Sequence, residues 1–154
     1  METIANVKAV DKFKLTIEKT SQAIPQIVIT QSQDGQNICK QIHEVEGNGF
    51  QEFFYVLFLN RANKVIGYYL ASMGGMTGTV ADPRLIIKAA ALSNCTSIIL
   101  CHNHPSGSIK PSTADEQLTT KIKEAAKYFD IRVLDHLIIT QDSNYFSFAD
   151  EGLI

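Results

Sequence analysis

The sequence lacks the features that mark secreted, membrane and strongly nucleic-acid-binding proteins. Only three of its 154 residues are cysteine, an odd number without a Cys-x-x-Cys pair, so we expect reduced, buried thiols rather than a disulfide framework. No stretch approaches the roughly 18 apolar residues of a membrane span, and the first residues have no apolar signal core. A formal net charge of −2 gives no global basic field. These absences predict a cytoplasmic protein without a membrane partner.

The length and composition predict one folded domain. At 154 residues and 45% hydrophobic content, the chain can bury a full core without a disulfide or metal. A bound metal would therefore serve function rather than folding. Residues 1–24 are polar and mildly basic, and we expect them to form an N-terminal arm or edge segment. Residues 25–154 are expected to form the domain.

Apolar periodicity and turn residues predict alternating strands and helices. Phe53–Leu59 is continuously apolar and predicts a strand buried on both faces, which returns through a turn into a second strand. Asp82 and Pro83 are typical of a helix start. Strands are predicted at 27–30, 53–59, 65–70, 97–101, 131–134, 137–140 and 145–148, with helices at 32–40, 83–92 and around 118–129. This alternation predicts an α/β or α+β sandwich around one sheet.

The segment from Cys101 to Leu118 contains most of the functional information. His102 and His104 follow a predicted buried strand, and residues two apart on an extended chain point to the same side. Asp115 lies at the start of the next helix, after a loop with two prolines and a glycine that can fold back over the strand end. Two imidazoles and one carboxylate suit Zn²⁺ and leave one position for water.

A purely structural interpretation of these residues stays open. Ser112 and Asp115 have the spacing of a helix cap, with Ser112 as N-cap and Asp115 at a position that the helix dipole favours. A histidine at a strand end is often polar surface only. The combination of all four side chains within fourteen residues is what favours the metal site.

These residues resemble a known signature. The JAMM motif of JAB/MPN metalloproteases resembles the pattern His102-x-His104-Pro105 followed by Ser112-x-x-Asp115. The surrounding sequence, from about Pro25 to Leu153, resembles the bacterial RadC-like branch of that family. The resemblance implies a three-layer, cytidine-deaminase-like fold around one mixed sheet. It also implies one Zn²⁺ held by His102, His104 and Asp115.

The resemblance further implies two catalytic residues. Glu52, immediately before the 53–59 strand, matches the glutamate that takes a proton from the attacking water, and Ser112 would hydrogen-bond the developing oxyanion. Glu44 and Glu46 are rivals for the first role, but we place them in a glycine-rich link without rigid support. Glu52 can also be a solvated strand-end charge.

Three functions are compatible with the sequence. The leading hypothesis is a zinc-dependent peptidase or isopeptidase whose partner is a peptide or an isopeptide-linked protein. The second is a DNA repair-associated accessory protein, suggested by the traditional description of RadC-like proteins and by Lys121, Lys123 and Lys127 on one helix. Salt-sensitive DNA binding would support it. The third is a non-catalytic interaction module.

Some neighbouring features have weaker interpretations. For His136, at a predicted strand start, a structural hydrogen bond is favoured over metal ligation, and Asp135 can support a metal histidine. Cys101 should face away from the histidines, and Cys95 should pack in the core. The 73–78 segment is expected to be a flexible link or a flap beside the site.

Overall fold

The computed structural model describes residues 11–20, 24–46, 50–74 and 80–154, and a five-stranded mixed sheet organises them. The strand order is β2-β1-β3-β4-β5, in which β3 and β4 are parallel and the other neighbours antiparallel. The elements in chain order are α1 (Ser32–Glu46), β1 (Phe53–Leu59), β2 (Val65–Met73), α2 (Pro83–Ser93), β3 (Ser97–Asn103), α3 (Thr113–Lys127), β4 (Arg132–Ile139) and β5 (Tyr145–Ser147).

Helices cover both faces of this sheet, so the expected three-layer sandwich is confirmed. One core cluster joins α2 and α3 to one face through residues such as Ile86, Ile122 and Leu100. The second cluster joins α1 to the other face, with Ile38 and Ile42 among its members. Because β1 and β3 contribute to both clusters, every one of their residues is buried. The uninterrupted apolar sequence of β1 and the apolar run at residues 98–101 within β3 are consistent with that burial.

Local sequence signals explain several element boundaries. The side chain of Asp82 accepts a hydrogen bond from Arg84 N at 2.9 Å and caps α2, with Pro83 as its first residue. Asn94 ends α2 in the left-handed conformation. The predicted β1–β2 hairpin is confirmed, and the side chain of Asn60 holds its turn by accepting from Ala62 N and Lys64 N.

Helix α1 is longer than predicted. The sequence indicated an end near Lys40 and a link containing Glu44 and Glu46, but the helix continues to Glu46. Tertiary contacts of the last turn stabilise this extension, because His43 contacts the hydroxyl of Tyr55 at 3.1 Å and Glu46 accepts from that of Tyr68 at 2.7 Å. The prediction that the two glutamates lack rigid support was therefore wrong.

Three strand predictions also need correction. The predicted strand at 27–30 is only an isolated bridge between Val28 and Lys64. The predicted strands 131–134 and 137–140 are one continuous strand, β4, so His136 lies in its middle rather than at a start. β2 also continues past residue 70 to Met73. The polar pair Asp135–His136 suggested a break, but both side chains are buried and hydrogen-bonded.

The remaining predictions concern the arm, the 73–78 link, the cysteines and the membrane. Residues 11–20 are exposed without helix or strand, and the rest of the arm before Ile24 lies outside the described residues. Residues 75–78 of the 73–78 link also lie outside the described residues. All three cysteines are buried free thiols. Among the described residues, no helix has the length and apolar character that a membrane crossing needs.

Candidate metal centre

The end of β3 places two imidazoles on one face of the sheet. His102 is a strand residue whose side chain is fully buried and stacks on Phe54, with ring centroids 5.7 Å apart. The strand pairing continues one residue further, because His104 N donates to Ile139 O at 3.0 Å. The extended geometry therefore persists past Cys101, and the side chains of His102 and His104 point to the same side as predicted. Cys101 belongs to the core of the opposite face.

The first turn of α3 brings Asp115 to these histidines. Among the described residues, ligand atoms of His102, His104 and Asp115 lie within 4.8 Å of one another. His102 Nε2 lies 2.9 Å from His104 Nε2 and 3.3 Å from Asp115 Oδ1, and His104 Nε2 lies 3.7 Å from Asp115 Oδ2. Two ligand atoms of a tetrahedral zinc ion lie about 3.3 Å apart, given bonds of about 2.0–2.1 Å. The separation of the two nitrogens and the shortest distance from each to a carboxylate oxygen of Asp115 are thus close to this value, although the two Asp115 distances end on different oxygens.

Asp115 is also part of a helix cap. Asp115 N donates to Ser112 Oγ at 3.1 Å, and Ser112 N donates to Asp115 Oδ2 at 2.7 Å, which completes a capping box. The capping role of Ser112 and Asp115 is therefore compatible with a metal-binding role of Asp115. The cap fixes the carboxylate, and its Oδ1 remains directed at His102.

The hydrogen bonding of His104 indicates which of its nitrogens carries the proton. His104 Nδ1 lies 2.7 Å from the carbonyl oxygen of Ser108, which can only accept, so Nδ1 carries a proton. A neutral His104 then presents the bare lone pair of Nε2 to Asp115 and His102. Two facing acceptors, Nε2 of His104 and the carboxylate of Asp115, are stabilised by a donated hydrogen or a metal cation between them.

The pKa shifts agree with this electrostatic arrangement. Burial lowers the pKa of His102 to about 4, so its ring is neutral and can act as a ligand. The neighbouring carboxylate of Asp115 raises the pKa of His104 despite partial burial. Burial alone would raise the pKa of Asp115, but the neighbouring imidazole of His104 and the hydrogen bond from Ser112 N hold it well below its usual range.

Glu52 lies beside this cluster. Phe54 pairs with His102 across β1 and β3, and Glu52 precedes Phe54 by two residues, so both side chains leave the same face of the extended chain. The extension before Phe53 is held in place, because Gly74 N donates to Glu52 O at 2.8 Å. The negative charge of Glu52 also contributes to the raised pKa of His104. The position is compatible with the predicted role of Glu52, which stays a prediction.

Ser112 is exposed at the N-terminus of α3. Its Oγ accepts from Asp115 N, and this bond leaves the hydroxyl hydrogen available for donation. Ser112 is thus joined to Asp115 by two hydrogen bonds, one to the carboxylate and one from the backbone N–H. Whether this hydroxyl stabilises an oxyanion stays a prediction.

Sequence reasoning missed the contacts that Asn103 makes beside the cluster. Its Oδ1 accepts from Phe53 N at 2.7 Å, and its Nδ2 donates to Gln51 O at 2.8 Å. This one side chain therefore holds the residues on both sides of Glu52. The sequence did contain a signal for it, because Asn103 is an amide residue between the two predicted ligands His102 and His104. On an extended chain its side chain points to the face opposite to theirs.

The predicted hydrogen-bonding role of His136 is confirmed. His136 Nε2 lies 2.8 Å from Nδ1 of His102, so it contacts one histidine of the cluster without joining it. Asp135 instead accepts hydrogen bonds from Ser147 Oγ and from the backbone N–H groups of His136 and Ala149. The possibility that Asp135 supports a metal histidine directly was therefore wrong.

Comparison with known proteins agrees with this geometry. The profile of the RadC-like JAB domain matches residues 29–153. A UPF0758 protein of Flavobacterium johnsoniae is 49% identical over 125 residues, which cover 81% of this chain and 53% of that protein. A UPF0758 protein of Porphyromonas gingivalis is 49% identical over 104 residues, or 68% of this chain and 46% of that protein.

A third relative, from Streptococcus gordonii, is also a UPF0758 protein and is 40% identical over 116 residues, or 75% of this chain and 51% of its own length. The chain thus spans about half the length of the curated relatives it matches. The matched region contains the whole sheet and all three members of the metal cluster. The chain belongs to the RadC-like JAB domain family.

Proposed function

We propose that the chain is a zinc-dependent amide-bond hydrolase, a peptidase or isopeptidase. The observation that carries the proposal is the convergence of His102 Nε2, His104 Nε2 and an Asp115 carboxylate oxygen on one point beside Glu52. Three protein ligands with a neighbouring carboxylate base are the composition of a catalytic zinc site. His104 and Asp115 have side chains that are 15% exposed, so a substrate can approach from solvent.

The proposed ligands divide the work of holding the metal. His102 and His104 supply neutral nitrogen donors from the rigid end of a central strand, and Asp115 supplies the negative charge from the helix start. When bound, Zn²⁺ polarises a carbonyl group and lowers the pKa of its water to about 7. Two neutral donors and one anion leave a net positive charge at the metal, which favours that chemistry.

Glu52 would move the proton. A carboxylate held on the neighbouring strand can accept a proton from the attacking water and return it to the leaving amine. The bond between Gly74 N and Glu52 O, together with the hydrogen bonds of Asn103 to both flanking residues, limits the backbone motion of Glu52. Ser112 would donate its hydroxyl hydrogen to the oxyanion that develops on the substrate carbonyl.

The first experiment measures metal content. Elemental mass spectrometry of protein purified without a histidine tag is expected to find one zinc per chain, and none in the double variant His102→Ala/His104→Ala. No zinc in either protein after incubation with the metal would refute the metal centre. The interaction module would then be the better interpretation.

The second experiment separates binding from catalysis. Glu52→Gln is expected to retain one zinc per chain and to lose turnover of peptide and isopeptide-linked substrates by a factor of at least about 10². Glu44→Gln is the matched control, because Glu44 is an exposed glutamate on α1, and it should behave like the parent. An unchanged rate in Glu52→Gln would contradict the assignment of Glu52 as the base.

A further inference from the structure

A chain of buried hydrogen bonds runs from His102 back to the start of α3. His102 Nδ1 lies 2.8 Å from His136 Nε2, and His136 Nδ1 lies 2.6 Å from Thr119 Oγ1. Thr119 Oγ1 in turn lies 2.6 Å from the carbonyl oxygen of Asp115. His102 and His136 are fully buried and Thr119 is 2% exposed, so water does not compete for these bonds. We call these three residues the relay.

The direction of the relay follows from its last bond. Two oxygen atoms 2.6 Å apart repel unless a hydrogen lies between them, and a carbonyl can only accept. The single hydroxyl hydrogen of Thr119 is therefore used on Asp115 O. Facing His136, Thr119 Oγ1 can then only accept, so His136 Nδ1 must carry a proton.

The same argument gives the tautomers of His136 and His102. His136 is neutral in its fully buried position, so a proton on Nδ1 leaves Nε2 bare. The bare Nε2 accepts from His102, which places the His102 proton on Nδ1. A neutral His102 with a proton on Nδ1 has a bare Nε2, and this is the atom that faces His104 and Asp115.

We propose that Thr119 and His136 are positioning residues that hold His102 in the tautomer with a bare Nε2, so that the site is ready for a metal before one binds. Metal-ligating histidines usually donate to a carboxylate, a carbonyl or water, and of these the carboxylate and the carbonyl can only accept. An imidazole can face either way, and here Thr119 selects the direction. The proposal rests on the metal centre proposed above.

The relay also connects two of the three proposed ligands. Asp115 contributes a side-chain oxygen to the metal cluster and, through its backbone carbonyl, ends the relay that orients His102. The first turn of α3 is thus connected to the end of β3 twice, once by the side chain of Asp115 and once by the relay. A change at Thr119 should therefore affect zinc affinity although Thr119 is not a ligand.

The test is long-range ¹H–¹⁵N NMR of the imidazoles in the metal-free full chain. We expect His136 and His102 both to be protonated at Nδ1 and bare at Nε2. Finding either ring protonated at Nε2 in the parent would overturn the proposal. This readout needs neither zinc nor turnover, so it decides the proposal even if the parent proves to bind no metal, which would refute only the proposed function.

Variants of Thr119 provide the second readout. Thr119→Val keeps the shape but removes the acceptor for His136, and it should weaken zinc binding about 10- to 100-fold in competition with a chromophoric chelator. Thr119→Ser should restore parental affinity. Thr120→Val is the matched control, because exposed Thr120 makes the same bond to a helix carbonyl, that of Glu116, outside the relay. Parental affinity and tautomers in Thr119→Val would overturn the proposal.

Discussion

At the scale of single residues, the site depends on side chains that are not ligands. Asn103 holds the backbone on both sides of Glu52, and the relay holds the ring of His102. Both devices use buried polar groups whose hydrogen bonds are satisfied by partners distant in sequence. A buried polar group left without its partner destabilises the protein by more than the hydrogen bond contributed in net stabilisation. Substitutions at these positions should therefore have large effects.

The Asn103 device predicts a selective loss of activity. Asn103→Leu removes both hydrogen bonds to the segment around Glu52, so turnover should fall about tenfold or more while zinc content stays at one per chain. The buried N–H of Phe53 is left without an acceptor, which should lower the free energy of unfolding by about 1–3 kcal/mol. Steady-state kinetics, elemental analysis and urea unfolding check the three parts.

Asn60→Leu is the control for this prediction. Asn60 also accepts hydrogen bonds from two backbone N–H groups, at 2.9 and 3.1 Å, but at the opposite end of β1. It should lower stability without a change in turnover. Equal effects of the two substitutions on turnover would show that Asn103 acts through general stability alone.

At the scale of secondary-structure elements, the N-terminus of α3 combines a helix cap with one member of the His102–His104–Asp115 cluster. Ser112 and Asp115 satisfy each other's backbone N–H groups, and the same turn directs a carboxylate at β3. A helix start is a suitable position for such groups, because its unpaired N–H groups and its dipole favour negative charge. The stability of this turn and the geometry of the site are therefore expected to change together.

Substitutions of Ser112 can separate its two roles. Ser112→Ala should lower the free energy of unfolding of the metal-free protein by about 1 kcal/mol, since the cap is lost, whereas Ser112→Gly should cost only a few tenths. Both remove the hydroxyl, so both should reduce turnover by about 10²-fold if it stabilises an oxyanion. Urea unfolding and kinetics measure the two effects.

Ser112→Thr keeps both the cap and the hydroxyl and serves as the control. It should remain close to the parent in stability and turnover. If Ser112→Gly retains parental turnover, Ser112 is a capping residue only. The assignment of an oxyanion role would then be wrong, while the metal centre would be unaffected.

At the scale of the whole molecule, the sheet connects the site to both cores. β3 lies in the middle of the five strands, with α2 and α3 packed on one face and α1 on the other. A cation bound at the end of β3 would therefore be attached to the most buried part of the fold. A cation that binds the folded state but not the unfolded chain stabilises it by mass action.

Zinc should accordingly raise the melting temperature. At a free concentration of 100 times Kd, the gain is about 2.7 kcal/mol, which corresponds to about 5–10 °C for a chain of this size. The double variant His102→Ala/His104→Ala should show no shift. Mg²⁺, which prefers oxygen ligands, should give none in the parent. Differential scanning calorimetry tests these expectations, and an equal shift in the double variant would place zinc elsewhere.

The sequence by itself predicted most of the fold and the grouping of His102, His104 and Asp115. Continuous apolar runs indicated β1 and β3, and a cap sequence indicated the start of α2, because these signals depend on burial or local hydrogen bonding over a few residues. The spacing of His102 and His104 on an extended chain, with Asp115 at a helix start, indicated the three members of the cluster. These features are local, and sequence patterns report local physics well.

Only the tertiary structure decided how polar residues inside elements are used. Asp135 and His136 suggested a break in a strand, yet β4 is continuous because Ser147, His102 and Thr119 satisfy them from distant parts of the chain. The last turn of α1 forms for the same reason. A buried polar group is compatible with an element only when its partners are present, and those partners are brought together by the packing of the sheet and not by neighbours in sequence.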